Sequence, residues 1–410
     1  MAVSAERKRY AAIMGMIGSG HAVSHFYLLA LPPLFPLLKA EFGVGYAALG
    51  LLVTAFNVAT GLVQVPAGIL VDRIGARPVL LAGLLLSGLG IGLIGLAGQY
   101  WMVLGLVALA GIGNSVFHPA DYAILNASVD PKRIGRAFAL HTFTGNVGFT
   151  LAPATMILLS SLWGWRWALG LAGLAALAVV AGLLAYGHLL KDDAPAPGGA
   201  AGRQSEAPAG LRPLLTPGVL TMFAFFVCMA MVTAGVQSFS VTALVAFQGT
   251  GLGPANTVLT AFLMASAAGV LLGGPIADRT ARHGLLAAAA MAGSAVLFFL
   301  VGNAQLPVLA LIAVFAAVGL LQGSVRPSRD MMVRAVTPKG ATGRVFAFVS
   351  AGLNLGAAVT PVLFGLLIDL GHADWVFFLL ADPALGDRHG RRCPHWAQAG
   401  AGTRGMTVRP

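Results

Sequence analysis

Long apolar runs and short polar segments alternate along the chain. About 20 consecutive apolar residues carry a helix across the hydrocarbon core of a bilayer. Eleven runs of that kind follow one another, near residues 10–38, 46–70, 77–98, 101–126, 135–160, 165–190, 217–247, 255–277, 284–303, 306–325 and 343–370. The pattern predicts eleven membrane-spanning helices. The first run is too long for the apolar part of a cleavable signal peptide, so we expect it to remain as a helix.

A twelfth apolar run starts at Trp375 and ends at Ala381, which is too short to span a bilayer. The tail that follows, 382–410, is polar, and Pro383 disfavours a continued helix. We hypothesise that a frameshift or truncation near residue 381 shortens the twelfth helix. The alternative is a native short tail after a partial helix. Translating the other reading frames of the gene tests the frameshift, because it must leave a further apolar run in another frame.

Composition excludes the other broad classes of protein. The 410 residues are 58% hydrophobic and 10% charged, whereas soluble domains carry about 25% charged residues. The net charge is +11, but the Lys and Arg residues form short clusters between apolar runs, so we expect no nucleic-acid partner. The two cysteines, Cys228 and Cys393, lie far apart, and we expect neither a disulfide nor a metal site from them.

The loop charges orient the predicted helices. With the N-terminus inside, the inside loops hold most of the Lys and Arg residues, and the outside loops hold only Lys39 and Arg166. Positive charge accumulates on the cytoplasmic side of membrane proteins. The distribution therefore predicts a multi-pass protein of the bacterial inner (plasma) membrane with a cytoplasmic N-terminus.

A polar segment rich in Pro, Gly and Ala, 191–213, is typical of a flexible linker. It separates a six-helix bundle, 1–190, from a second bundle, 214–381, of five helices and the start of a sixth.

The two halves also match each other at an offset of about 208 residues. The matching elements include the following pairs: Gly135-Arg136-Ala137-Phe138-Ala139 with Gly343-Arg344-Val345-Phe346-Ala347, Asn146 with Asn354, and Pro119 with Pro327. Repeats with an even number of helices run parallel and are related by an axis along the membrane normal.

One loop carries a recognisable motif. The segment Gly68-Ile69-Leu70-Val71-Asp72-Arg73-Ile74-Gly75-Ala76-Arg77 resembles the cytoplasmic loop motif G-x-x-x-D-R-x-G-x-R of the major facilitator superfamily, and Gly274 to Arg282, with Asp278 and Arg279, echoes it. The resemblance implies an all-α membrane fold of two parallel-repeat six-helix bundles, here with the twelfth helix truncated. It also implies a monomeric secondary transporter whose partners are the lipid bilayer, a small-molecule substrate and protons. In that family the motif residues, here Gly68, Asp72, Arg73, Gly75, Arg77, Asp278 and Arg279, latch the two halves together on the inner face.

A narrower resemblance concerns the fosmidomycin-resistance branch of drug exporters. Gly20-His21, Pro36-Leu37-Leu38 with Glu41-Phe42, and Ser115-Val116-Phe117-His118-Pro119 are similar to that branch. The chain departs from it at Ser24-His25, where an Asn-Asp pair is usual, and at Ala120, which separates His-Pro from the acid Asp121. The fourth-helix arginine of drug/proton antiporters is missing. Export by proton antiport is what this resemblance implies.

Ionisable residues at membrane depth are costly, so those present are candidates for function. His21 and His25 are spaced i, i+4 on one face of the first helix, near mid-bilayer, and histidine titrates near neutral pH. They are either carriers of a coupling proton or neutral histidines hydrogen-bonded inside the bundle. His118 and Asp121 lie late in the fourth helix, and Asp121 can pair there with His118 or Arg136. Such a pair is either a gate or proton relay or a structural ion pair at a helix end. Arg326 and Arg344 in the second half are further candidates for the gate.

Further polar residues complete the candidate set. They are Asn57, His141 and Asn146 in the first half and Gln237, Gln322 and Asn354 in the second. Each can touch substrate or bridge two helices by hydrogen bonds. The low number of fixed charges favours a neutral, zwitterionic or amphipathic substrate.

The leading functional hypothesis is a carrier that moves a small solute by alternating access, coupled to protons, in drug or metabolite efflux. The alternatives are a nutrient uptake carrier and a non-transporting membrane sensor on the same scaffold. The sequence contains no nucleotide-binding loop and no nucleophile–base–acid set, so we expect no enzyme and no cofactor. The histidines are not at metal-site spacing with carboxylates, so we expect no metal.

Overall fold

The computed structural model describes residues 2–130, 133–190, 214–280, 282–337 and 342–381, and all regular structure in these segments is helical. The linker 191–213 and the tail 382–410 lie outside the described residues. The helices of the first half are α1 (Ala2–Leu28), α2 (Phe35–Phe42), α3 (Tyr46–Ile74), α4 (Ala76–Ile94), α5 (Tyr100–Asn114), α6 (Phe117–Ser128) and α7 (Ile134–Tyr186). Those of the second half are α8 (Pro217–Gln248), α9 (Leu252–Arg279), α10 (His283–Asn303), α11 (Val308–Val336), α12 (Thr342–Asp369) and α13 (Trp375–Ala381).

The predicted all-helical membrane fold is confirmed. Ten segments are long and apolar enough to cross a membrane, and one of them, 136–189, is 54 residues long. That length accommodates two spans, which meet at Gly164, where φ is 82° and ψ is 158°. Glycine adopts positive φ without the steric cost of a Cβ atom. The described segments thus contain the eleven spans that the apolar runs predict.

Helix packing reproduces the internal repeat. In the first half α1 packs on α7 and α3 packs on α5. In the second half α8 packs on α12 and α9 packs on α11, which are the equivalent pairs. Two further contacts, α3 with α12 and α7 with α9, join the halves.

The two ends of the bundle differ in how the halves meet. The end that contains Lys39, Tyr46 and Asp369, which we call the closed end, has one hydrophobic cluster built from both halves, with Phe35 beside Phe239 at 5.3 Å between ring centroids. The opposite end, which contains Arg73 and Arg279 and which we call the open end, has separate clusters for each half among the described residues. The halves are therefore joined at the closed end and apart at the open end.

The twelfth helix is short in the described segment. Among the described residues, α13, Trp375–Ala381, is the one helix that follows α12. Phe377 is fully buried, and the Phe378 ring lies 5.6 Å from that of Phe299 on α10. These seven residues are thus packed into the second bundle.

Candidate functional site

A carboxylate and two histidines from three helices meet inside the first half. Asp121 on α6 is 0% exposed, and its Oδ2 atom lies 2.9 Å from His141 Nε2 on α7 and 3.6 Å from His21 Nδ1 on α1. The His141 contact is a hydrogen bond. The His21 and His141 rings stack with centroids 3.6 Å apart.

Two more histidines extend this group. The His25 ring lies 4.4 Å and the His118 ring 5.4 Å from that of His21, between centroids. Asp121 with these four histidines is called the histidine cluster below. His118 is exposed although its ring contacts the others, so the cluster opens to water on that side. The four histidines and one acid concentrate ionisable groups in an otherwise apolar bundle.

Glycines on α7 allow α1 to come close enough to place the histidines. A Cβ atom at Gly145 would lie 2.8 Å from His21 Nε2 and 3.0 Å from His25 Cε1. A Cβ atom at Gly148 would clash with the backbone carbonyl oxygen of Ala22. Small residues serve this purpose widely at membrane helix contacts. The small residues of α7 therefore let α1 approach closely enough to place His21 and His25 beside His141.

Several polar atoms of the cluster have no partner. Among the described residues, Asp121 Oδ1, His21 Nδ1 and His25 Nδ1 are buried without a hydrogen bond. Such atoms cost free energy in a dry environment, typically about 1–3 kcal/mol each. A proton or a cation would satisfy them. The ligand atoms of His21, Asp121 and His141 all lie within 4.8 Å of one another and could hold a metal ion. One nitrogen of each stacked ring, His21 Nδ1 and His141 Nε2, contacts the same carboxylate oxygen, Asp121 Oδ2.

The pairing expected for Asp121 is wrong. Its partners are His141 and His21, and neither His118 nor Arg136, whose side chain is exposed, makes an ion pair with it. His118 and Asp121 both lie on α6, but His118 is exposed, whereas Asp121 is buried against the neighbouring helices α1 and α7. His141, which we grouped with polar residues that touch substrate or bridge helices, is the hydrogen-bond partner of the acid. No local motif could have indicated this, because 20 residues and a turn separate the two positions.

The other polar candidates divide into two groups. Asn57 and Asn146 donate to carbonyl oxygens of their own helices, at 2.8 and 3.0 Å, so neither amide NH₂ bridges two helices. Asn354 is exposed and Gln237 is partly buried. Gln322 on α11 is 5% exposed, and both of its side-chain amide atoms lack a partner.

Arg326 lies within α11 and is partly buried. The apolar run predicted for this helix, 306–325, ends one residue earlier, so the helix continues past that run. At the repeat offset of 208, Arg326 matches His118 of the histidine cluster.

The motif residues lie at the open end, and the described bonds of this motif stay within the first half. Asp72, Arg73 and Arg279 are exposed, and within the described residues Asp72 and Arg73 make no hydrogen bond or ion pair with the second half. The Arg77 guanidinium donates to Leu183 O of its own half at 3.4 Å. Gly75 ends α3 with φ at 94°, and Gly68 packs on Pro119. The side chains of Asp278 and Arg344 lie outside the described residues.

Asp369, which the sequence did not single out, joins the halves at the closed end. Its carboxylate accepts hydrogen bonds from the backbone N–H groups of Tyr46 and Ala47, at 2.8 and 2.9 Å, and pairs with Lys39 at 3.4 Å. Farther along the same seam, the Thr54 hydroxyl donates to Ala358 O at 2.5 Å. The α12 C-terminus thus caps the N-terminus of α3 across the two halves.

The two related bundles, the polar groups between them and the single closed end define a membrane transport protein. A family model confirms the class, since that of the Major Facilitator Superfamily matches residues 17–256 and 242–385. The chain belongs to the major facilitator superfamily, a family of transporters, and is a multi-pass membrane protein.

Relatives of known name match parts of the chain. The fosmidomycin resistance protein of Escherichia coli is 26% identical over 275 residues, which cover 66% of this chain and 66% of the relative. The multidrug resistance protein MdtH of an Enterobacter species is 31% identical over 123 residues, 28% of this chain and 29% of the relative. A probable L-galactonate transporter of Escherichia coli is 25% identical over 129 residues, 32% of this chain and 28% of the relative. The chain spans just under two thirds of the first of these relatives and less of the others.

Among solved structures, a bacterial homologue of the human lysosomal transporter Spinster, in an inward-facing and unoccupied conformation, has the same fold. Its TM-score is 0.73 at 14% identity, over 92% of this chain and 89% of that one. The similarity confirms the architecture of two six-helix bundles.

Proposed function

We propose that this chain is a secondary active transporter that moves a small organic solute by alternating access and exchanges it for a proton held by Asp121, His21 and His141. The observation that carries the proposal is the buried Asp121 carboxylate, 2.9 Å from His141 and 3.6 Å from His21. Carboxylate and histidine groups facing a bundle interior are typical of proton relays in membrane transporters. Because three helices contribute, a change of protonation alters the contacts between all three.

Efflux is the direction we propose, with the open end and the N-terminus in the cytoplasm of a bacterium and the closed end outside its inner membrane. Two observations support it. Positive residues concentrate at the open end, as expected for the cytoplasmic side. The names of the fosmidomycin resistance protein and MdtH describe resistance, which efflux explains. Uptake is the second candidate, favoured by the L-galactonate relative, and a non-transporting sensor is the third.

Everted membrane vesicles test the coupling directly. Vesicles with an acidic lumen and a fluorescent pH probe receive fosmidomycin, followed by a panel of drugs and small metabolites. A proton antiporter releases lumenal protons when its substrate enters, and probe fluorescence recovers. We expect this recovery in the wild type and in His188→Gln, an exposed histidine remote from the cluster, and its loss in Asp121→Asn.

Two results would contradict the proposal. Equal recovery in Asp121→Asn and wild type removes the cluster from the coupling. Solute exchange by the wild type without any proton movement removes the coupling itself. Adding EDTA separates a proton from a metal ion, since proton exchange continues without divalent metals. Accumulation of the solute in right-side-out vesicles would identify uptake instead of efflux.

A further inference from the structure

Helix α11 carries a positive charge, that of Arg326, with no close counter-charge among the described residues. Within the part of the chain that the structure describes, no hydrogen bond or ion pair reaches the Arg326 guanidinium. The neighbouring acid, Asp330, is already paired with Arg329 at 2.9 Å, and that guanidinium also stacks on the Phe226 ring at 4.5 Å. A charged group at membrane depth is expensive unless it is paired. Arg326 therefore lacks the anion that its position calls for.

Gln322 lies one helical turn away on the same face of α11. Its side chain is 5% exposed, and neither Nε2 nor Oε1 has a hydrogen-bond partner. A buried amide with both ends unsatisfied is unusual, since most buried polar side-chain atoms in proteins are bonded. The Gln322 amide NH₂ group and the Arg326 guanidinium together offer several hydrogen-bond donors to an acceptor group of a ligand.

The first half carries a second set of unsatisfied groups. The Nδ1 atom of His25 has no hydrogen-bond partner among the described residues, and the neighbouring His118 is exposed. The internal repeat relates these sets, because His118 and Asn114 match Arg326 and Gln322 at the offset of 208. Asn114 Oδ1 is likewise buried and unpartnered. Equivalent positions on α5–α6 and α11 thus carry polar groups without partners.

We propose that the face of α11 that carries Arg326 and Gln322 binds the anionic group of a small organic anion, which is the transported substrate. The proposal rests on the proposed function and specifies its substrate class. A carboxylate, phosphonate or phosphate accepts two parallel hydrogen bonds from one guanidinium, and such charge-assisted bonds are about twice as strong as neutral ones. The Gln322 amide donates a further hydrogen bond to the same group. Of the substrate classes expected from the sequence, a zwitterionic or amphipathic solute can carry such an anionic group, whereas a neutral solute cannot.

Thermal unfolding of the purified full chain in detergent tests this binding without any pH gradient. The probes are inorganic phosphate, benzoate and phenylphosphonate, each up to about 10 mM, a range that detects weak millimolar binding. Benzamide is the neutral match for benzoate, and chloride keeps the ionic strength constant. We expect at least one anion, but not benzamide, to raise the unfolding temperature of the wild type with saturation.

Substitutions on α11 assign the effect to one residue. Arg326→Gln should weaken the apparent affinity about 10- to 100-fold, as for loss of a hydrogen bond to a charged group. Arg326→Lys keeps the positive charge but loses the two parallel N–H donors of the guanidinium, so it should retain part of the stabilisation by the anion. Arg334→Gln, an exposed arginine on the same helix, should behave as wild type. Because Arg326→Gln removes an unpaired charge, the unfolding temperature of this variant without ligand should not fall. An unfolding temperature equal to that of the wild type then serves as the control for folding.

The result is decisive in both directions. The proposal is overturned if no anion stabilises the wild type more than Arg326→Gln, or if benzamide stabilises it equally. Failure of proton movement in vesicles, with anion stabilisation intact, would reject the proton coupling and leave the anion site standing. Proton movement in vesicles, with every anion stabilising wild type and Arg326→Gln equally, would reject the anion site and leave the proton coupling standing.

Discussion

The carboxylate of Asp369, at the last residue of α12, accepts a hydrogen bond of 2.8 Å from the backbone N–H of Tyr46, the first residue of α3. The two residues belong to different halves. Backbone N–H groups at a helix N-terminus lack partners within the helix and carry partial positive charge, so a carboxylate there is stabilising. Asp369 thus supplies to α3 an N-terminal cap that the local sequence does not provide, since no side chain caps α3 from Gly45.

Of the two helix contacts that join the halves, α3–α12 has this cap among the described residues and α7–α9 does not. The repeat mate of Asp369 is Ser161, whose hydroxyl donates to Leu158 O of its own helix at 2.8 Å. The contact between α7 and α9 at that place contains an open cleft of ≈ 700 Å³, lined by apolar residues and by Ser161, Asn256, Thr257 and Thr260. The closed end therefore depends more on the α3–α12 seam than on the α7–α9 seam.

Asp369→Ala should shift the protein away from the closed-end state. Loss of an N-cap acceptor costs about 1 kcal/mol, which corresponds to about fivefold in an equilibrium between two states. The pair Thr54→Cys and Ala358→Cys reports the state, because the Thr54 hydroxyl bonds to Ala358 O across the seam. With Cys228 and Cys393 changed to Ser, we expect a short bifunctional thiol reagent to cross-link this pair less in Asp369→Ala.

Two comparisons make the Asp369 result specific. Asp369→Asn keeps one acceptor oxygen and should fall between wild type and Asp369→Ala. Lys39→Gln should have a smaller effect, because its pair with Asp369 is exposed and such pairs contribute about 0–1 kcal/mol. A larger effect of Lys39→Gln than of Asp369→Ala would show that the ion pair, and not the helix cap, holds the closed end.

Asp121→Asn should abolish uphill transport but spare exchange of solute down its gradient. Asparagine has nearly the size of aspartate and can still bond to His141, but it cannot take up and release a proton. We expect accumulation against a gradient to fall at least about tenfold, a loss of about 1.4 kcal/mol of coupling, while counterflow of labelled substrate continues. Loss of both activities in a folded protein would place Asp121 in substrate binding instead.

Gly145→Ala should disturb the histidine cluster from the α7 side. The added methyl group would lie 2.8 Å from His21 Nε2 and 3.0 Å from His25 Cε1, so at least one ring must move. Overpacking of this kind costs about 1–3 kcal/mol. We expect a lower unfolding temperature and weaker coupled transport. Gly170→Ala on the same helix is the control, since no atom lies within 4 Å of its added Cβ, and it should be neutral or stabilising by up to about 1 kcal/mol. Equal effects of both substitutions would contradict contact with the cluster.

The spans and the repeat were predictable because both are encoded locally. An apolar run such as 217–247 appears as α8, Pro217–Gln248, and the matching positions of the halves lie in equivalent helices. The cluster was only half predictable. His21 and His25 follow from i, i+4 spacing on one helix, but the contact of Asp121 with His141 depends on how α6 and α7 are rotated about their axes. Helices that are apolar on most sides give little sign of that rotation.

The closed end was missed for a related reason. Asp369 is a single acid at the end of a long apolar run, and 323 residues separate it from Tyr46. Only the charge of Lys39, one of the two cations in the outside loops, gives a sign that an acid should lie nearby. Backbone N–H groups are present at nearly every residue, so no sequence pattern identifies them as partners.

Asp72→Asn should act in the opposite direction to Asp369→Ala. Asp72 lies at the open end and is exposed, without a bond to the second half among the described residues, whereas Asp369 is fully engaged at the closed end. We propose that Asp72 contacts the second half when the open end closes, as its motif implies. A group that stabilises only one of two states shifts the equilibrium by its differential interaction.

Removing the Asp72 charge should therefore favour the state described here. We expect the Thr54→Cys and Ala358→Cys pair to cross-link more in Asp72→Asn than in the wild-type background. The double variant, Asp72→Asn with Asp369→Ala, should return towards the wild-type yield, because the two losses act on opposite states and the positions are far enough apart to be additive. A lower yield in Asp72→Asn alone would show that Asp72 stabilises the closed-end state and that the two acids do not act as opposing latches.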